Sequence, residues 1–174
     1  MRFSFEPLAR EHLPLLERWL LLPHVREWWD DTPGAPYPDL SGYEAALRGE
    51  DPTDNFLILA DGRPVGFIES YVIQDDPEYA RHVGVEERAA GVDLYIAEAD
   101  MLHRGHGAPI LRRFLRDVVF PRYGVGLCVI GPATANAAAI RAYEKAGFRH
   151  WKDVAIPGER WPERLMTLRR EDLA

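Results

Sequence analysis

Apolar residues along the chain fall into short alternating or continuous runs, joined by stretches in which they recur at helical spacing, and this pattern predicts an order of elements. Residues 2–6 alternate as a first strand, and between Arg10 and Leu22 the side chains of Leu13, Leu16 and Leu20 return at the spacing of one helix face. Pro23 to Leu40 is rich in prolines, acids and aromatics and reads as a long loop. Ser41 is placed to cap a short helix through Arg48. Two strands follow, 55–60 and 64–73, around the hairpin turn signal Asp61-Gly62-Arg63. From Ile73 to Arg88 the chain turns polar and acidic without sustained period and reads as a loop.

The second half alternates strand with helix. Residues 91–97, GVDLYIA, form a buried strand, and a strongly periodic helix from about Gly105 carries Ile110, Leu111, Phe114, Leu115, Val118 and Val119, with Pro109 in its first turn. The apolar run 125–130 is the next strand. Asn136 is a helix N-cap, Gly147 suits the left-handed stop, and FRHWKDVAI and RWPERLMTLRR close the chain as two strands. Such an order predicts an α/β (α+β) domain around a mixed sheet, and 174 residues suit a single domain spanning 1–174.

Composition narrows the function classes. A hydrophobic fraction of 47% with 28% charged residues is ordinary for a globular protein, and no apolar run approaches the roughly 18 to 20 residues of a membrane span. Glu6, Arg10 and Glu11 interrupt the N-terminal apolar residues, so a secretory leader is not expected and a cytoplasmic location is. The single cysteine, Cys128, lies in an apolar run, which excludes an internal disulfide and predicts a buried thiol. His24, His82, His103, His106 and His150 show no metal-ligand spacing, and no metal is expected. The net charge of −7 disfavours a nucleic-acid partner and favours a small cationic one.

Two segments carry candidate chemistry. Leu102 to Ala108, LHRGHGA, leaves a strand and opens the long helix, where glycines let a ligand approach the backbone and free N–H groups at the positive dipole end can hold a pyrophosphate. A glycine-bearing turn is also ordinary structure. Ile110 stands where a dinucleotide-binding fingerprint needs its third glycine. The second segment runs from Asn136 to Phe148, in which Asn136 as cap, Ile140 as core and Gly147 as stop also have structural readings.

The first segment resembles motif A of the GNAT acetyltransferases, R/Q-x-x-G-x-G/A, with Gly105 and Gly107 at the glycine positions and Leu102 in place of the first polar residue. The second resembles motif B, N-x-x-A-I-x-x-Y-E-K-x-G-F. Within that superfamily the chain is similar to aminoglycoside 6′-N-acetyltransferases through Glu27-Trp28-Trp29, Ser70-Tyr71-Val72 and Gly91-Val92-Asp93. The resemblance implies the GNAT fold, a central mixed, mostly antiparallel β-sheet flanked by helices, in a monomer or homodimer. It also implies acetyl-CoA as donor, its pyrophosphate held at His103, Arg104, Gly105, His106, Gly107 and Ala108, with Asn136 nearby.

An amine attacks a thioester only as the free base, whereas an alkylamine of pKa ~10 is protonated at neutral pH, so a carboxylate to take the proton is expected. The resemblance puts that role on Asp93, whose plain alternative is an acid bracing the sheet, and puts donation to the departing thiolate on Tyr143. Backbone N–H groups around Leu94 and Tyr95 are expected to face the oxyanion. Trp28, Trp29, Asp30 and Glu78 are the candidate acceptor-binding residues, with Asp31, Asp75 and Asp76 further acids able to pair with ammonium groups. Two positions depart from the resemblance: Ala80 and Arg81 stand where a tryptophan pair is expected, and Gly131 where an aspartate is. The implied activity is acetyl transfer by direct attack in a ternary complex. A siderophore or other small-amine acyltransferase, and a CoA-binding module without catalysis, stand as alternatives.

Overall fold

The structure, a computed structural model, describes residues 1–173. Seven strands form one sheet in the order β1-β2-β3-β4-β5-β7-β6. They are β1 (Phe3–Pro7), β2 (Asp54–Ala60), β3 (Arg63–Val72), β4 (Ala90–Ile96), β5 (Leu127–Ile130), β6 (Arg149–Val154) and β7 (Glu163–Arg169). Every neighbouring pair is antiparallel except β4 with β5.

Continuous apolar runs in β2 and β3 are explained by burial on both faces. Leu57 and Phe67 point to one side, where they pack with Leu16, Trp19 and Val25 from α1 (Leu13–Leu20) and α2 (Pro23–Trp29). Ile58 and Ile68 point to the other, against Ile110, Leu111 and Phe114 of α5 (Gly107–Phe114). The remaining helices are α3 (Ser41–Leu47), α4 (Pro77–Val83), α6 (Phe120–Tyr123) and α7 (Ala137–Ala146).

Three expectations are corrected. The stretch from Pro23 to Leu40 is not all loop, because its first seven residues form α2, with Pro23 at the helix start and Val25 buried. The polar stretch after Ile73 contains α4: Asp76 caps it by accepting from the N–H groups of Glu78 and Tyr79, Pro77 opens it, and Gly84 ends it at φ 68°. Between α5 and α6 the helix runs through a π-helical stretch, Leu115–Val119. Buried pairs at 110/111 and 114/115 are followed by one at 119/120, so the inserted residue re-phases the apolar stripe onto the sheet.

β4 and β5 pair only at Ala90 with Cys128 and Gly91 with Val129. Beyond Gly91 the two strands part. Among the described residues no helix is long and apolar enough to cross a membrane.

Candidate active site

The Ala97 N–H donates to the Val65 carbonyl at 2.8 Å, which fixes the alternation along β4. Asp93, Tyr95 and Ala97 turn their backbone groups to β3, while Val92, Leu94 and Ile96 turn theirs towards the splay. His24 Nε2 lies 3.2 Å from the Ile96 carbonyl on that side and ties α2 to the free edge of β4. Of the two amides expected to face an oxyanion, only that of Leu94 points into the splay. Tyr95 has its N–H in the sheet and its ring among Trp19, Trp29 and Phe67.

Two cavities of similar size open from the splay. The first, of about 680 Å³, runs between β4 and the starts of α5 and α7, bordered by Leu102, His103, Gly105, His106, Gly107 and Ala108. Internal bonding of α5 begins with Ile110 N–H to the His106 carbonyl, so the N–H groups before it are free for a ligand. Gly105 turns the chain at φ +77°, and a Cβ on Gly107 would stand 3.2 Å from that of Ala142 in α7. Among the described residues, the charged or ionisable side chains on this cleft are His24, Glu27, His103, His106, Arg141, Tyr95, Tyr143 and Lys145, a mainly basic set. Arg104 is exposed and lies outside its lining.

The second cavity, of about 670 Å³, is acidic: among the described residues, eight acidic side chains line it and no lysine, arginine or histidine does. Asp93 is at its inner wall. A Cβ on Gly91 would stand 2.3 Å from the Tyr71 ring, and over that bare backbone Tyr71 reaches along β4 and donates to Asp93 Oδ2 at 3.0 Å. The Ser-Tyr-Val and Gly-Val-Asp segments are thus one device on paired strands, Tyr71 opposite Gly91. Burial pushes the Asp93 carboxyl up to about 6, although the Tyr71 hydrogen bond opposes it. Glu69, its cross-strand partner, is held well above the carboxylate range by burial and by the Asp93 charge.

The outer wall is built from loops. The Arg160 N–H donates to the Asp31 carbonyl and joins the loop after α2 to that before β7. Trp28 packs on Trp161 with centroids 5.7 Å apart, while Trp29 packs edge-on to Tyr95 at 4.9 Å and is anchored to the core. Burial, with Asp31 and Asp93 adding to it, raises Glu159 to about 7, and burial with Glu159 and Asp93 raises Glu163 to about 8.

Trp28, Trp29, Leu94, Asn136 and Tyr143 border both cavities, so the two meet there. Asn136 Oδ1 caps α7 by accepting from Ala139 N–H at 3.1 Å. Tyr143 is 9% exposed, its hydroxyl pushed above its ordinary pKa by burial and then by the Asp93 charge. Asp30 and Glu78 line neither cavity: Asp30 pairs with Arg26 at 3.1 Å and Glu78 is exposed, while their neighbours Asp31, Asp75 and Asp76 line the acidic one. Glu69, Tyr79, Glu159, Trp161 and Glu163 also line it and were missed. Only the aromatic and acidic crowding of RWPE hinted at the last two.

Among the described residues no group of His, Cys, Asp and Glu could hold a metal ion. Cys128 is buried, as expected.

The sequence matches the family model of the acetyltransferase (GNAT) domain over residues 9–156. It is 28% identical over 153 residues to the aminoglycoside N(6′)-acetyltransferase type 1 of Klebsiella pneumoniae, covering 86% of this chain and 76% of the relative, and equally so to the protein of that name from Serratia marcescens. The structure of AAC(6′)-Ib in complex with paromomycin and acetyl-CoA superimposes with TM-score 0.78 at 25% identity, over 99% of this chain and 96% of that one. Spermidine N-acetyltransferase from Vibrio cholerae, in complex with CoA and spermine, shares the fold at 17% identity and TM-score 0.72, over 98% and 97% of the two chains.

Proposed function

The chain belongs to the acetyltransferase (GNAT) domain family, and from that premise we propose that it acetylates an amine of a small polycationic acceptor of the aminoglycoside type. One observation carries the reading: a mainly basic cleft at a strand splay and a chamber of eight carboxylates meet at Tyr143 and Leu94, with Asp93 on the chamber side. Acetyl-CoA lies in the cleft with its pyrophosphate on the free N–H groups around His106 to Ala108. The acceptor enters the chamber as a cation, attracted by carboxylates that have no basic side chain among them.

Asp93 takes a proton from the ammonium group. With its carboxyl at about 6 it is a stronger base than an ordinary aspartate and is still ionised at neutral pH. The free amine attacks the thioester carbonyl, and the Leu94 N–H faces the oxygen on which charge develops. Collapse of the tetrahedral intermediate breaks the C–S bond, and the proton lost by the attacking nitrogen goes to the departing sulfur, leaving the amide and the free thiol. Tyr143, kept protonated by its surroundings, donates a hydrogen bond to the departing thiolate, whose own thiol has a pKa near ~8.5.

The acidic lining supports a cationic acceptor over a siderophore precursor bearing carboxylates. Thiol release from acetyl-CoA in the presence of kanamycin tests the reading. Turnover that depends on the aminoglycoside is the expected result; binding of acetyl-CoA without transfer to any of a broad panel of amines would refute catalysis.

A further inference from the structure

The pairing of β5 with β7 continues beyond the strand ends. Past Ile130 opposite Met166, the Arg164 N–H donates to the Pro132 carbonyl at 2.8 Å, and Ala133 stands opposite Glu163. Alternation then puts Gly131, Ala133, Glu163 and Leu165 on one face. Gly131, Ala133 and Glu163 border the acidic chamber. A Cβ on Gly131 would stand only 2.6 Å from Glu163 Oε1 and 3.2 Å from Leu165 Cδ2. The Glu163 carboxylate occupies the volume that a side chain at 131 would take. The acid that fills this corner of the chamber comes from the neighbouring strand.

The protein does little to satisfy this carboxylate. Tyr79 donates to Oε1 at 3.3 Å, while Oε2 is buried with no hydrogen-bond partner. The charges that act on it most strongly, Glu159 and Asp93, are negative, and no basic side chain lines the chamber. Burial raises the Glu163 carboxyl to about 8, so it keeps its proton at neutral pH, and the complement that would let it ionise is a cation brought from outside.

We infer that Glu163 is a specificity-determining residue, which receives an ammonium group of the acceptor other than the one that is acetylated. The inference rests on the acetyl-transfer reading. Gly131 has the companion role of leaving room, so the two positions act as a unit.

Steady-state kinetics with kanamycin, which carries several ammonium groups, and glucosamine, which carries one, test it. Glu163→Gln keeps the side-chain length and an acceptor for Tyr79. It is expected to raise KM for kanamycin about tenfold, while kcat, the KM for acetyl-CoA and the kinetics with glucosamine stay within about twofold. A double variant, Gly131→Asp with Glu163→Ala, returns a carboxylate to the same volume and recovers most of the loss. The inference is overturned if Glu163→Gln leaves the kanamycin KM within about twofold of wild type, if glucosamine suffers equally, or if the double variant binds acetyl-CoA normally and recovers nothing. Wild-type enzyme that acetylates neither amine would instead overturn the acetyl-transfer reading.

Discussion

The two cavities are nearly equal in volume, about 680 and 670 Å³, and opposite in construction. The cleft proposed for acetyl-CoA is walled by backbone and small side chains, Gly105, Gly107, Ala108 and Ala137 to Ala139 among them. Its grip comes from N–H groups and a helix dipole, which many sequences can present. Leu102 in place of a polar residue therefore costs the site little. The chamber proposed for the acceptor is walled by carboxylates and indoles, whose identity would be their function. There a single residue such as Gly131, whose side chain would take the space of the Glu163 carboxylate, decides what the site can hold.

That contrast breaks most sharply at Asp93. Asp93→Asn keeps an acceptor for the Tyr71 hydroxyl but cannot take the proton of the incoming ammonium. It should lower kcat/KM for the amine about 10³-fold, while calorimetry finds acetyl-CoA affinity unchanged. In the wild type, activity should fall as pH drops through about 6, where Asp93 takes up its proton, rather than near the ordinary aspartate value. Equal damage to acetyl-CoA binding would mean that the two cavities are not independent.

Tyr143 belongs to both walls. Tyr143→Phe preserves the packing and removes the hydroxyl, and turnover should fall about 30-fold with both affinities retained, the pattern of a group that acts at bond cleavage alone. Rapid-quench measurement of acetyl transfer separates this from slow product release.

The same division governs what was legible in the sequence. Strands with clear alternation, the Asn136 cap and the Gly147 stop were readable because the physics is local. α2 and α4 escaped because each is short and lies in a stretch dense in prolines and acids that reads as loop, although Asp76, Pro77 and Gly84 supplied both ends of α4. The resemblance singled out Asp93 and Tyr143, and the structure places both beside the junction. Glu69 and Glu159 were invisible and Glu163 was no more than hinted at, because their relevance depends on long-range pairing: Glu163 meets Gly131 only through strands brought together late in the chain. Asp30 and Glu78 were chosen over Asp31 and Asp75 within acidic runs where spacing alone could not say which member faces inward.

Gly105 bears on the nucleotide cleft alone. At φ +77° an alanine is strained even though nothing crowds the position, and the strain falls on the turn that presents the N–H groups. Gly105→Ala should weaken acetyl-CoA binding about fivefold to tenfold and leave the amine KM unaltered. An effect on the amine alone would misplace the pyrophosphate.

The smallest effect concerns stability, and it is confined to the acidic chamber. Asp93 has an ordinary value of 3.8 and is raised to about 6 in the fold, so the folded state holds its proton more tightly than the unfolded chain. Between those values the native state binds more protons, and stability declines as pH rises through the window; above about 6 the full penalty is present. Glu163, raised to about 8, extends the decline upward. Asp93→Asn removes one part of this penalty. The variant should be more stable than wild type by about 1 kcal/mol at pH 8 and no more stable at pH 4, a shift of a few degrees in Tm. Scanning calorimetry at the two pH values checks it. A variant that loses most of its activity and gains stability only where Asp93 is ionised marks the acidic chamber as a place where charge is held at a cost until a cationic acceptor arrives. Substitutions on the acetyl-CoA cleft, where dipoles rather than buried charges do the binding, should show no such pH-dependent gain.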